Sequence, residues 1–389
     1  MRLKSSPMTR IYFDNNATTP VASEVREAML PYLTDRFGNP SSGHQFGEEA
    51  QYGIQQARKQ VAALISGSAA RLVFTSGGTE ANNTAIWSAI TAFPAKKHII
   101  SSRVEHDSVL KPLQFLQENF GYEIELLPVE STGGLDLEKL RAAIRPDTVL
   151  VSLMGANNET GVIWPLSEIG TICRDRSVLF HCDGVQMVGK EPLDMVQLPI
   201  DYLSIAAHKL HGPKGIGALY VQRPAPMKPL IMGAGQENGR RAGTENVAAI
   251  VGFGRACELA ARCLPTYAQE VGRLRDRLEA TILAKINDVL VNGSGLPRLA
   301  NTANISIRNC AANGIIQELD ARGIAISAHS ACHSGDLNPS HVLTAMQVPE
   351  PYLHGTLRIS LSRYSTIAEL ETLLDALPAI VAKSRGLTV

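Results

Sequence analysis

Between residues 70 and 222, short runs of apolar and β-branched residues recur at 72–74, 98–101, 124–128, 149–154, 178–182, 202–206 and 217–221. Stretches with helical spacing separate them, and this alternation predicts an α/β layered domain. Ahead of it, Ala50, Ile54, Ala57, Val61, Leu64 and Ile65 follow a helical period, with Gly67 expected to close the helix. From 244 to 283 the pattern shifts to long helices, carried by Val247, Ala248, Ile250 and Val251 and then by Val271, Leu274, Leu278 and Ile282. Pro265 is expected to separate them, with a domain join near residue 263. Beyond it, strands at 303–307, 324–327 and 356–361 interleave with helices at 314–321, 339–346 and 367–382, which reads as a smaller α/β or α+β unit.

Length and charge narrow the picture. A chain of 389 residues exceeds the roughly 250–300 at which a single core stops growing, so about two domains are expected. Apolar residues at 44% and charged residues at 19% exclude disorder, collagen and coiled coil. Thirty-seven basic residues balance thirty-seven acidic ones, leaving no net field to hold a polyphosphate or an anionic membrane; no direct nucleic-acid partner is expected. No apolar run approaches the ~18–20 residues that span a bilayer. The basic start meets Asp14-Asn15-Asn16 directly after Ile11-Tyr12-Phe13, so secretion is not expected. Six cysteines (Cys173, Cys182, Cys257, Cys263, Cys310 and Cys332), with no CxxC pair and no zinc spacing, fit a reducing cytoplasm.

Candidate chemistry gathers at the ends of the strands. The run at 72–74 leads into Thr75-Ser76-Gly77-Gly78-Thr79-Glu80. Bare amides at a helix N-terminus beside a threonine hydroxyl form a phosphate cradle, although the same stretch also reads as a tight strand-to-helix turn. Without a Walker lysine or GxGxxG spacing here, a small phosphate ester fits better than a nucleotide. Asn157, Asp183 and His208-Lys209 follow the runs at 149–154, 178–182 and 202–206, at the carboxyl ends where open α/β sheets bind ligands. Singly, such an aspartate is a turn former and such a lysine a solvated charge. Together, a carboxylate, a lysine and a phosphate cradle are what pyridoxal phosphate requires: an amine to bond its aldehyde and an anion to keep its pyridine nitrogen protonated.

These residues carry a resemblance. Tyr12-Phe13-Asp14-Asn15-Asn16-Ala17-Thr18-Thr19, Thr75-Ser76-Gly77-Gly78-Thr79-Glu80, Asn157-Asn158-Glu159-Thr160-Gly161 and Ala207-His208-Lys209-Leu210-His211-Gly212-Pro213-Lys214-Gly215 resemble the cysteine desulfurases of the NifS and IscS type, a branch of the class V aminotransferase-like enzymes. The likeness runs in order from about residue 11 to 385, with Ser330-Ala331-Cys332 and Leu357-Arg358-Ile359-Ser360-Leu361 as later landmarks. It implies the type I fold of pyridoxal-phosphate-dependent transferases, a large mainly parallel sheet domain (15–262) and a smaller α/β domain (1–14 with 263–389). It further implies Lys209 as the lysine bonded to the cofactor, Asp183 as partner of the pyridine nitrogen and His106 as the residue stacked on the ring. Gly78, Thr79 and His208 are implied at the phosphate, Asn157 and Gln186 near the ring hydroxyl, and Thr244 at the phosphate of a partner subunit, which makes the chain a homodimer. Lys214 is the rival to Lys209, in a Gly-Pro-Lys-Gly setting that reads as a loop. The chain departs from the family at Ala206, where many relatives carry serine.

Cys332 lies among small and polar residues with no helical or strand period, which reads as an exposed loop. Flanking His329 and His333 could lower its thiol pKa. Zinc binding by His329, Cys332, His333 and His341 is the competing reading, though no metal site is expected. The resemblance makes Cys332 the nucleophile that takes sulfur from L-cysteine and carries it as a persulfide, with L-alanine released. A sulfur-acceptor protein, such as an iron-sulfur scaffold, then follows. By the same resemblance Arg358 holds the substrate carboxylate, where the planar guanidinium can bind with two hydrogen bonds, and Asn39 lies nearby. Selenocysteine lyase or another class V aminotransferase-like activity is the alternative enzyme, and a non-catalytic sulfur-relay subunit the alternative of another kind.

Overall fold

The computed structural model describes residues 10–222, 224–328 and 339–386. In chain order its first half contains β1 (Ile11–Tyr12), α1 (Ser23–Met29), α2 (Gln45–Leu64), β2 (Leu72–Thr75), α3 (Gly78–Ala92), β3 (His98–Ser102), α4 (Asp107–Phe120), β4 (Glu123–Leu127), α5 (Leu137–Ala143), β5 (Thr148–Met154), α6 (Leu166–Asp175), β6 (Leu179–Asp183), β7 (Tyr202–Ala206) and β8 (Gly217–Val221). There follow α7 (Val247–Lys285), β9 (Val289–Val291), β10 (Thr302–Ile307), α8 (Ala312–Asp320), β11 (Ile324–Ala325), α9 (His341–Ala345), α10 (Glu350–Leu353), β12 (Thr356–Ser360) and α11 (Ile367–Ser384).

Seven strands form one sheet in the order β2-β8-β7-β6-β5-β3-β4. Every pair is parallel except the two made by β8. Strands β2, β3, β5, β7 and β8 are buried along their whole length, because helices cover both faces, and this is why they read in the sequence as unbroken apolar runs without alternation. From β5 the chain winds through β6 to β7 on one side, whereas β3 and β4 lie on the other. The ends of these strands therefore open onto a crevice at a point of topological reversal.

Helix α2 presents Ile54, Ala57, Val61 and Leu64 to this core, starting where the His44 side chain accepts the Gly47 N–H. Gly67 closes it as expected, although another residue makes the turn. Ser66, not Gly67, takes the left-handed conformation (φ 49°), while the Gly67 N–H closes on the Ala62 carbonyl at 2.8 Å. Gly67 is small for another reason: a Cβ there would lie 2.7 Å from the Tyr220 ring.

Pro265 does not separate two helices; α7 runs through it for 39 residues, about 58 Å at 1.5 Å per residue. A proline removes one N–H and so frees the carbonyl four residues back, here that of Ala261. Both Ala261 and Pro265 are exposed, so water can satisfy that carbonyl and the helix continues. The first half of α7 (Ala249, Ile250, Phe253, Ala256, Cys257, Ala260) packs into the core of the large sheet. Its second half (Tyr267, Val271, Leu278, Ile282) packs into a separate apolar cluster with α8, α11 and the small antiparallel sheet β12-β10-β9.

The start of the chain ties this second cluster to the crevice. Strand β1 pairs in parallel with β11, the Phe13 N–H reaches the Ala325 carbonyl at 2.8 Å, and the Asn15 N–H reaches Ser360 at 3.2 Å. The next residues, Asn16 and Ala17, then line the crevice. Among the described residues no helix is long and apolar enough to cross a membrane.

Candidate active site

The strand ends enclose a cavity of about 250 Å³ whose walls include Gly78, Thr79, His106, Asp183, Gln186, Ala206, His208, Lys209 and Arg358. They come from the start of α3, the start of α4, the ends of β6 and β7, and strand β12. Asp183 is the last residue of β6, and its carboxylate takes the Val185 N–H at 3.0 Å on Oδ1 and Asn82 Nδ2 at 2.7 Å on Oδ2. Lys209 sits in the single helical turn after β7 and rests on two backbone carbonyls, those of Asn16 and, at 2.8 Å, Ala17. Gly77 leads into α3 at φ 155°, ψ −175°, a conformation open essentially to glycine, and no side chain among the described residues caps this helix. Its first amides thus point toward the cavity edge formed by Gly78 and Thr79, as an anion requires.

His106 caps α4: its Nδ1 accepts the Ser108 N–H at 3.0 Å, so the remaining ring proton belongs on Nε2. Burial lowers its pKa; the charge of Lys209 adds to this while Asp183 opposes it, and the ring is neutral near pH 7. His208, with Nδ1 3.2 Å from Thr18 Oγ1, is pushed down to about 3 by burial first and then by Lys209, Lys214 and Lys190. Gln186 gives Nε2 to the Asn16 carbonyl at 3.0 Å and receives Lys190 Nζ at 2.9 Å. Lys190 is itself pushed down to about 7 by burial, Lys209 and Arg358. Behind His106, burial pushes the Glu105 carboxyl up to about 8.

Arg358, on β12, is 1% exposed. It donates to Asp14 Oδ1 at 2.8 Å and to the Asn158 carbonyl at 3.2 Å, and its buried Nε has no partner among the described residues. A guanidinium with an unmet donor on a cavity wall is suited to an incoming carboxylate.

Other expected residues lie elsewhere. Asn157 is 3% exposed with its Oδ1 spent on the Glu159 and Thr160 N–H groups, and its neighbour Asn158 lines the cavity instead. Asn39 is exposed and turns its Oδ1 onto the Ser41 N–H at 2.9 Å, away from this cavity's walls. Thr244 is exposed beside a second cavity of about 260 Å³ next to the loop after β2. Lys214 is exposed and outside the first cavity. Cys332, with His329 and His333, lies outside the described residues, whereas His341 binds the Glu105 carbonyl at 3.0 Å. Asn82, Ser108 and Asp14 went unassigned in the sequence. The one local signal is Asn82 itself, a polar position among the buried Ala81, Ala85 and Ala89 of α3.

A lysine, a carboxylate at the neighbouring strand end and an uncapped helix N-terminus on one cavity define the class of a type I pyridoxal-phosphate fold, and comparison with known proteins agrees. Residues 11–373 match the family described as aminotransferase class-V. A cysteine desulfurase of Nostoc sp. is 50% identical over 381 residues, covering 98% of this chain and 95% of that protein. Among solved structures, a NifS-like protein superposes with a TM-score of 0.90 at 36% identity, covering 96% of this chain and 100% of the other. A second, SspA in complex with cysteine, gives 0.80 at 35% identity, over 92% and 100%. The chain belongs to the class-V aminotransferase family, within its cysteine desulfurases.

Proposed function

We propose that this chain holds pyridoxal phosphate in the cavity, takes sulfur from L-cysteine to leave L-alanine, and carries the sulfur as a persulfide on Cys332 to an acceptor protein such as an iron-sulfur scaffold. The observation that carries this reading is the meeting of Lys209, Asp183, His106 and Arg358 on one cavity beside the N-terminus of α3. These residues fit the cofactor: an amine for its aldehyde, a buried carboxylate for its ring nitrogen, and bare amides for its phosphate. When bound, the cofactor supplies an aldehyde that bonds amines and a protonated ring that accepts the electron pair left when a Cα proton departs.

The chain's own residues do the rest. Asp183, fixed by Asn82 and the Val185 N–H, holds the proton on the ring nitrogen. His106, neutral near pH 7, offers its ring as a stacking face rather than a second charge. Gly78, Thr79 and His208 hold the phosphate, with Gln186 toward the ring hydroxyl, while Asn157 braces the Glu159–Thr160 turn behind the wall. Arg358 orients the substrate by its carboxylate, and Lys209 Nζ takes the α proton. Cys332 as thiolate accepts the sulfur. Thr244, exposed and outside its own chain's cavity, reaches the partner's phosphate in a homodimer. The division at residue 263 falls inside α7, so this helix would join the large unit to the small one. The five described cysteines are unpaired, which supports a reducing cytoplasm.

The test is L-cysteine without reductant, with alanine release measured beside intact mass and the modified peptide. Alanine with added sulfur on Cys332 is expected. Alanine release by a Cys332→Ala variant at the original rate would overturn the assignment.

A further inference from the structure

Glu80 stands in the first turn of α3, and its side chain is 8% exposed. Its carboxylate is fully engaged. Oε2 accepts the Ser76 N–H at 2.7 Å, and Arg241 donates from Nε to Oε1 at 2.9 Å and from Nη2 to Oε2 at 3.1 Å. Burial alone would raise its pKa, but the hydrogen bonds from Arg241 and Ser76 outweigh this and hold it below the ordinary carboxylate range, so Glu80 is an anion near pH 7.

That anion occupies the helix end whose amides face the cavity at Gly78 and Thr79. A helix N-terminus carries about half a positive charge, too little for a carboxylate and a phosphate dianion together. A guanidinium bound with both arms to Glu80 cancels the carboxylate and leaves the helix end to the second anion. Arg241 is itself held fast. Its neighbour Arg240 donates to the Ala70 and Leu72 carbonyls at 3.0 and 3.1 Å. Nearby Glu237 forms a buried ion pair with Arg58 and accepts the Phe74 N–H at 3.0 Å. The segment bearing Arg241 is thus fastened to β2, the strand that leads into the cradle.

We propose that Arg241 is a positioning residue for the phosphate end of the cofactor: it neutralises Glu80 and fixes it on the Ser76 amide, so that the N-terminus of α3 serves the phosphate. This rests on the cofactor reading above.

The test titrates cofactor-free protein with pyridoxal phosphate and, separately, with pyridoxal, following absorbance and tryptophan fluorescence. Arg241→Gln should weaken pyridoxal phosphate by about tenfold while changing pyridoxal little, because the uncompensated Glu80 repels only the phosphate. Glu80→Gln combined with Arg241→Gln should restore most of the loss, and Glu80→Gln alone should bind pyridoxal phosphate at least as tightly as the parent. Equal weakening of both ligands, absence of rescue in the double variant, or lost phosphate preference in Glu80→Gln would each overturn the role of Arg241. A parent protein with no preference for the phosphorylated ligand would instead overturn the cradle reading itself, and this proposal with it.

Discussion

Asn82 Nδ2 stands 2.7 Å from Asp183 Oδ2 and 2.9 Å from Ser108 Oγ, while Ser108 Oγ lies 2.8 Å from His106 Nδ1. A single buried amide on α3 therefore links the strand-end carboxylate to the imidazole across the cavity. Hydrogen bonds to charged groups contribute about 1.5–3 kcal/mol, more than neutral ones.

Asn82→Leu should therefore lower stability by about 2 kcal/mol in urea unfolding. In an Asp183→Asn background the acceptor has no charge, and the same substitution should cost about 1 kcal/mol or less. Equal costs in the two backgrounds would mean that Asn82 acts by packing alone.

Arg358 has one arm on Asp14 and another on the Asn158 carbonyl, which sets the plane of its guanidinium. Lysine keeps the charge but loses the fork and the buried Nε. Arg358→Lys should raise KM for L-cysteine about 10–100-fold with a smaller change in kcat, since the carboxylate is bound alike before and during reaction. Steady-state kinetics decide it: a fall in kcat at unchanged KM would place Arg358 in the chemical step instead.

Much of the large sheet is legible because its strands are buried on both faces, so apolar runs mark them within a residue or two; 202–206 and 217–221 coincide with β7 and β8. Lys209 and Asp183 are legible because strand ends are where such sheets collect ligands. What pattern does not reveal depends on distant partners. Asp14 meets Arg358 across 344 positions, and Asn16 reaches Lys209 across 193. Pro265 misleads because a helix tolerates proline where the freed carbonyl meets water. Gly67 does close α2, but its small size answers to the Tyr220 ring, since Ser66 and not Gly67 takes the left-handed turn.

Lys209 and Lys214 are five residues apart, yet only the first faces the cavity. Borohydride reduction of protein loaded with pyridoxal phosphate, followed by peptide mass analysis, should find the cofactor on Lys209. Lys209→Ala should abolish the label and Lys214→Ala should keep it. A label on Lys214 in the parent protein would move the covalent bond to the loop.

The acid limb of stability should begin high. His181, fully buried at the centre of the large sheet, joins β5 to β7 through Ser152 Oγ at 2.8 Å and Ser204 Oγ at 2.9 Å. Burial lowers its pKa from 6.5 to about 4, with Asp183 acting the other way. Between those values the unfolded chain binds a proton that the fold refuses, so stability is present above pH 6.5 and is lost as pH falls. At about 1.4 kcal/mol per pH unit, this one group removes about 2 kcal/mol between pH 7 and 5. His211, pushed down to about 4, and His208, pushed down to about 3, act in the same direction. Glu105, pushed up to about 8, acts oppositely: the fold keeps a proton that the unfolded chain loses above 4.5, so its contribution fades as pH rises through 8. Of these four groups, the three histidines together outweigh Glu105 between pH 7 and 5, a net loss on acidification. His181→Gln should lower stability at pH 7 yet shrink the difference between pH 7 and 5 by about 2 kcal/mol in urea midpoints. An unchanged difference would assign the acid limb to other groups, since no neutral side chain at position 181 can supply the proton uptake that drives it.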